Sequence, residues 1–242
     1  EVNTEEEVNE AASGVPTEDP IPWWVDIVNA EGATNGGEGI YVAVLDTGLV
    51  SSWPFFFSQA NIAWQWGRGW SYDVVWNPNI GDFDWTPNPN RGFITNSIGS
   101  GHGTHVTSTI VGYRFATATA DMWIQGVAPK VTIIPVLGLD YWWVQTPDPN
   151  YPGAHNGYVL FGGGDDWMLT SAIYYLTDLA VTQGIKLIIT NSWGSNEPSP
   201  ALRTAIDFAI ANGVIMVFAA GNRGLAQMDW PGAYPEVISA AA

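Results

Sequence analysis

Ile40–Gly48 reads IYVAVLDTG. Six residues without a charge are followed at once by Asp46 and a glycine-containing turn. A short, unbroken apolar run rich in branched residues suits a strand covered on both faces, the situation inside a parallel sheet. Asp46 closes the run, so its carboxylate stands at the carboxyl end of the strand.

Three further runs have the same character: Val131–Val136 (VTIIPV), Lys186–Thr190 (KLIIT) and Val214–Ala219 (VIMVFA). Each is bounded by Gly, Pro, Asp or Asn. Between them the period changes to that of a helix. In Asp166–Gln183, Met168, Ala172, Ile173, Leu176, Leu179 and Ala180 recur on one face, and Gly184 is a stop. Ser199 is an N-cap with Pro200 in the first turn. Leu202, Ile206, Ala209 and Ile210 line that helix, and Gly213 ends it. Alternating strands and helices predict an α/β fold, a parallel sheet flanked by helices with right-handed crossovers. In such sheets ligands sit beyond the carboxyl ends of the strands.

Two segments are too long for plain connections. Residues 51–100 hold six tryptophans, and residues 139–165 hold Trp142–Trp143 and a Pro/Asn/Gly-rich stretch. They are expected as insertions around a functional face. Residues 1–22 read as an acidic extension and residues 23–242 as one globular domain. The 242 residues carry 24 Asp+Glu against 7 Lys+Arg, a formal charge of −17. A surface so short of cations excludes a phosphate-neutralising nucleic-acid face. Cysteine is absent, which removes disulfides, thiol catalysis and cysteine metal sites. No apolar run reaches the length of a membrane span. The acidic, lysine-poor composition and the lack of a signal peptide after Glu1 fit a mature, secreted form.

Three positions carry chemistry. Asp46 is placed to orient another polar group, although Asp-Thr-Gly is also an ordinary turn and occurs in aspartic proteases. Gly101–Val106 (GHGTHV) puts His102 and His105 on one helix face. They suit a metal pair or, for His102 between glycines at a helix start, a general base. Asn222, in AAGNRG (residues 219–224), follows a buried strand and suits either a left-handed turn or an amide donating into a cleft.

Taken together, VAVLDTG, GHGTHV, GVAP (residues 126–129), NSWGS (residues 191–195), AAGNRG and WPGAYPEVIS (residues 230–239) resemble the subtilisin-like serine proteases, in family order, over roughly residue 23 to the end. The resemblance implies the three-layer subtilisin-like fold, truncated on its C-terminal side. It implies that Asp46 and His102 are the triad acid and base and that Asn222 donates to the oxyanion. It assigns Ser192, Trp193 and Gly194 to a strand lining a mostly apolar P1 pocket, and Gly162, Gly163 and Gly164 to the facing strand. Protein or peptide substrates follow, with no cofactor required for the chemistry. Calcium is implied by the family, and Asp82, Asp84, Asp121, Asp165 and Asp166 are its candidate ligands.

One family block is missing. No Gly-Thr-Ser-Met-Ala segment occurs, and the sequence stops in EVISAAA, which is expected as a buried strand. Ser100 and Ser192 each belong to another motif. The nucleophile is therefore expected outside this chain, in a C-terminal segment or a separate polypeptide. The alternative expectation is a noncatalytic scaffold subunit of an oligomeric assembly.

Overall fold

The computed structural model describes residues 21–96, 100–224 and 226–241; the expected acidic extension lies almost wholly outside them. The elements are α1 (Trp23–Asp26), β1 (Ile40–Asp46), α2 (Trp53–Phe56), β2 (Arg68–Gly69), β3 (Ser71–Asn77), β4 (Asp82–Asn88), α3 (His102–Val111), β5 (Gly112–Ala116), β6 (Asp121–Gln125), β7 (Thr132–Leu137), β8 (Asp140–Gln145), β9 (Tyr158–Gly163), α4 (Asp166–Gln183), β10 (Lys186–Asn191), α5 (Pro200–Ala211), β11 (Ile215–Ala219) and β12 (Ile238–Ala240).

Six strands form one parallel sheet in the order β12-β11-β10-β1-β7-β2. The predicted strands are its centre. β1 lies between β7 and β10, with Val42 opposite Ile133 on one side and Ile188 on the other. After β7 the chain crosses over β1 to continue as β10, so the strand order reverses beside β1. That is the switch point at which parallel sheets open a crevice.

Alternate side chains of β1 and β7 supply the two cores. Ala43, Leu45, Ile134, Val136, Ile189, Met216 and Phe218 pack with Met168, Ile173, Leu176, Leu202 and Ile206 of α4 and α5. Val42, Val44 and Ile133 face the other way, onto Trp53, Phe57, Ile62 and Val111. The helix ends are chemically explicit. Asp165 caps α4 by accepting the Met168 N–H, Ser199 caps α5 by accepting the Leu202 N–H, and Gly184 turns out of α4 at φ 63°.

The two long segments, expected as insertions, contain antiparallel hairpins. β3 pairs β4 over Ser71–Asn77, and β8 pairs β9 over Asp140–Gln145. A third hairpin, β5–β6, follows α3 directly. Asp140, 2% exposed, ties the first two hairpins together. It accepts from the Ser71 hydroxyl at 2.7 Å, Arg91 Nε at 3.0 Å, Asn96 Nδ2 at 3.2 Å and the Tyr141 N–H at 2.9 Å. A buried carboxylate held by this many donors, one of them cationic, offsets its own desolvation.

At the sheet edge EVISAAA supplies β12, which pairs with β11 and, among the described residues, leaves Ile238 56% exposed.

Candidate active site

The centre of the site is the end of β1. Asp46 is 1% exposed, and its Oδ1 accepts the Thr47 N–H at 2.7 Å. Opposite it stands His102, the first residue of α3. His102 Nδ1 lies 2.8 Å from Asp46 Oδ1 and 2.9 Å from Oδ2. A carboxylate only accepts hydrogen bonds, so the proton on this edge of the ring sits on Nδ1. Nε2 then presents a lone pair on the far edge, and the side chain is 47% exposed.

Local sequence explains how two residues 56 apart meet. The Thr47 hydroxyl accepts the Gly103 N–H and donates to the Ser100 carbonyl, both at 3.0 Å. One turn on, Thr104 Oγ1 accepts the Val50 N–H at 3.0 Å. These bonds press the start of α3 onto the residues following β1. Gly103 permits the approach: a Cβ there would lie 2.5 Å from the Gly48 carbonyl oxygen and 3.2 Å from Asp46 Cβ.

Neither alternative serine is placed as a nucleophile toward the ring. Ser100 Oγ accepts the His102 backbone N–H at 3.2 Å. Among the described residues, no hydroxyl is hydrogen-bonded to the His102 ring. His105 is exposed, and His102 has committed Nδ1 to Asp46. No three His, Asp or Glu side chains converge as metal ligands among the described residues. Each of the five carboxylates named for calcium accepts a side-chain hydrogen bond. Asp82 accepts from Tyr151, Asp84 from Asn77, Asp121 from Arg114, Asp165 from Tyr72 and Asp166 from Ser199.

Asn222 lies beyond the end of β11, exposed, and its carboxamide makes no hydrogen bond to any described residue. β11 is two strands from β1 in the sheet, a spacing of roughly 10 Å, on the same carboxyl edge as Asp46. Gly221, at φ 100°, sits so close to Asp229 that a Cβ would meet its carboxylate at 2.3 Å. Asp229 is in turn ion-paired with Arg223. The turn holding Asn222 is thereby fixed on both flanks.

The two glycine-containing segments do face one another. Gly163 and Gly164 form one wall of a cleft of about 610 Å³, and Trp193 and Gly194 form another. Ser192–Gly194 is not a paired strand; only Ser195 bridges, to Trp230. Gly162 belongs to β9 and lines a neighbouring pocket. The surface lining the cleft is mostly apolar, with Leu139, Leu169, Trp193 and Leu202, and Asp165, Asp166 and Glu197 border it.

Both walls hang on the last two carbonyls of β1. Trp193 Nε1 donates to the Leu45 carbonyl at 3.0 Å, and the Gly138 N–H donates to the Asp46 carbonyl at 2.9 Å. A Cβ at Gly164 would lie 2.3 Å from the Gly138 oxygen, so that wall is pressed against the residue following β7, which is itself bonded to the end of β1. These anchors escape sequence reading, since main-chain acceptors leave no residue signature.

The Subtilase family model matches residues 37–242. The major intracellular serine protease of Bacillus subtilis (strain 168) is 30% identical over 96% of this chain and 58% of its own length. Subtilisin BL of Lederbergia lenta is 27% identical over 92% of this chain and 63% of its own. Among solved structures, sphericase superposes with a TM-score of 0.58 at 28% identity, covering 93% of this chain and 61% of that one. The chain thus spans 58–63% of the length of these relatives. With its motifs in order on a parallel sheet and the family model matched from Gly37 onward, the chain belongs to the subtilase family.

Proposed function

We propose that this chain forms the larger part of a serine endopeptidase whose nucleophile is contributed by residues outside it. Asp46 is the triad acid, His102 the general base and Asn222 an oxyanion donor. The serine hydroxyl gives its proton to His102 Nε2 as its oxygen attacks the peptide carbonyl. Asp46 stays ionised and stabilises the imidazolium. Collapse of the tetrahedral intermediate breaks the C–N bond, and His102 returns the proton to the leaving amine. Water then attacks the acyl-enzyme by the same route. The substrate backbone lies as an added strand between Gly162–Gly164 and Ser192–Gly194. None of these steps calls on a cofactor.

The observation that carries this reading is the bidentate contact of His102 Nδ1 with the buried Asp46, leaving the opposite ring edge open. The chain's shorter length than its relatives supports a nucleophile in further sequence. Secretion is part of the proposal and rests on the acidic composition; one relative is named as intracellular, so membership of the family does not fix the compartment. No helix among the described residues is long and apolar enough to cross a membrane.

A second reading, a noncatalytic scaffold subunit, is favoured by the absence, among the described residues, of a hydroxyl bonded to the His102 ring and by exposed rings such as Trp23, 71% exposed. A fluorophosphonate probe and a peptide substrate, applied to the full-length protein, separate the two. Labelling and hydrolysis are expected, with hydrolysis abolished in a His102→Ala protein that remains folded. Folded full-length protein that neither labels nor hydrolyses peptide overturns the peptidase reading in favour of the scaffold.

A further inference from the structure

A second, smaller cavity of about 260 Å³ lies under the two hairpins. Its walls are the rings of Tyr72 and Trp85 from the first hairpin and of Trp142 and Phe161 from the second. The rings are set by edge-to-face packing: Trp85–Trp142 at 5.2 Å and 76°, Trp85–Phe161 at 5.1 Å and 75°, Tyr72–Trp85 at 5.8 Å and 79°. Such contacts fix the rings before any ligand arrives. The remaining wall is Gly162–Gly164, with Asp165 at its end.

We propose that this pocket is a subsite for the cationic side chain, Lys or Arg, of a peptide bound along Gly162–Gly164. The idea rests on the peptidase reading and adds a substrate preference to it. Gly163, Gly164 and Asp165 border both the 260 Å³ pocket and the 610 Å³ cleft. β9 pairs with β8 alone among the described residues, so its other edge is open to an added strand. Successive side chains of an extended peptide point to opposite faces. One side chain would therefore enter the cleft and its neighbour the aromatic pocket, with no wall side chain between, because the wall is glycine.

The chemistry of the lining selects charge. Aromatic faces attract a cation within about 6 Å of the ring centroid. Asp165 supplies the counter-charge, its carboxylate held in place by the Tyr72 hydroxyl and the Met168 N–H. Asp166 and Glu197 stand on the adjoining cleft, and the whole chain carries −17. The aliphatic stem of Arg or Lys would lie against the rings while its head meets Asp165.

The test uses the full-length protein and peptides that differ only in carrying Arg, norleucine or Phe at one of the four residues before the cut. At one position, Arg is expected to exceed norleucine in kcat/KM by about tenfold. Asp165→Asn keeps the helix cap, which Asn fills as well as Asp, and removes the charge; the Arg/norleucine ratio should fall toward one. Trp85→Leu should do the same from the ring side. Hydrolysis with equal Arg and norleucine rates, or with Phe preferred at that position, overturns the subsite and leaves the peptidase reading standing. Tryptophan fluorescence titrations of the His102→Ala protein with the same peptides give a readout without catalysis. Tighter binding of the Arg peptide there, with no turnover by the wild type, keeps the subsite and removes the peptidase reading. Equal affinities overturn the subsite.

Discussion

Substituting Gly103 by alanine tests the geometry of the acid–base pair without touching either member. Alanine is ordinarily the better helix residue, by up to about 1 kcal/mol. Here its Cβ would fall 2.5 Å from the Gly48 carbonyl oxygen and 3.2 Å from Asp46 Cβ. The nearer atom is main chain, so no rotamer change relieves the clash; α3 must move away from the end of β1. Overpacking of this kind costs about 1–3 kcal/mol, which outweighs the propensity gain. The net expectation is a loss of about 1–2 kcal/mol, or roughly 2–8 °C in melting temperature for a chain of this size. The displacement also lengthens the 2.8–2.9 Å contacts of His102 Nδ1. Gly101→Ala is the control, since its Cβ would meet nothing closer than Val50 Cγ1 at 3.9 Å and its φ is −74°. Calorimetry and the downfield Nδ1–H proton resonance of His102 report the two effects. A Gly103→Ala protein that melts with Gly101→Ala and keeps that resonance in place would refute the packing argument.

Asp140→Ala leaves four donors around a buried site, among them Arg91. The loss is expected near 3 kcal/mol, the low end for a broken buried pair, because Arg91 is 24% exposed. Denaturant unfolding measures it, and faster amide exchange at Tyr141 should accompany it; a change under 1 kcal/mol contradicts the account of Asp140 as the tie between hairpins. Burial, then the hydrogen bond and charge of Asp165, push the Tyr72 hydroxyl up to about 12. Its native state therefore holds a proton that the unfolded chain loses near pH 10. The resulting stability is complete below pH 10 and disappears as pH rises through 12. Tyr72→Phe should flatten the fall in urea midpoint across that window, and superimposable pH curves would dismiss the effect. In the full-length protein, Asn222→Ala should lower kcat by about 100- to 1000-fold, a magnitude established on a subtilisin itself rather than worked from this geometry. Because its carboxamide is exposed and unbonded among the described residues, the melting temperature should not move; a fall in stability without a fall in kcat would assign Asn222 to the turn instead.

The centre of the fold was legible because burial on both faces writes itself into composition. IYVAVL, KLIIT and VIMVFA contain almost nothing but branched and small apolar residues, and they became adjacent strands. Helix boundaries were legible for a chemical reason, since Ser199 and Gly184 sit where caps must. The hairpins were not. β3 reads SYDVVWN and β4 DFDWTPN, where ring-on-ring contacts within the ribbon and with β8 and β9 replace burial in a common core. The two-residue alternation is there, in Tyr72, Val74 and Trp76 and in Phe83 and Trp85, but it is set among Asp and Asn, and Pro87 speaks against a strand. Asp140 was hidden differently. Its partners lie 44 to 69 positions away, and an Asp after VLGL looks like any turn. Asp46 and His102 are equally distant from one another, yet their motifs marked them. EVISAAA was legible as a strand of the sheet, although apolar content alone does not say whether a neighbouring strand covers it.

The carbonyls of Leu45 and Asp46 have a consequence for how this scaffold tolerates divergence. A main-chain oxygen survives every side-chain substitution at its own position. Both flanks of the crevice are moored to such oxygens, so their alignment with the acid–base pair is insulated from drift in the strand that carries them. Variation is then free to accumulate in the hairpins above while the Asp46–His102 contact below keeps its coordinates.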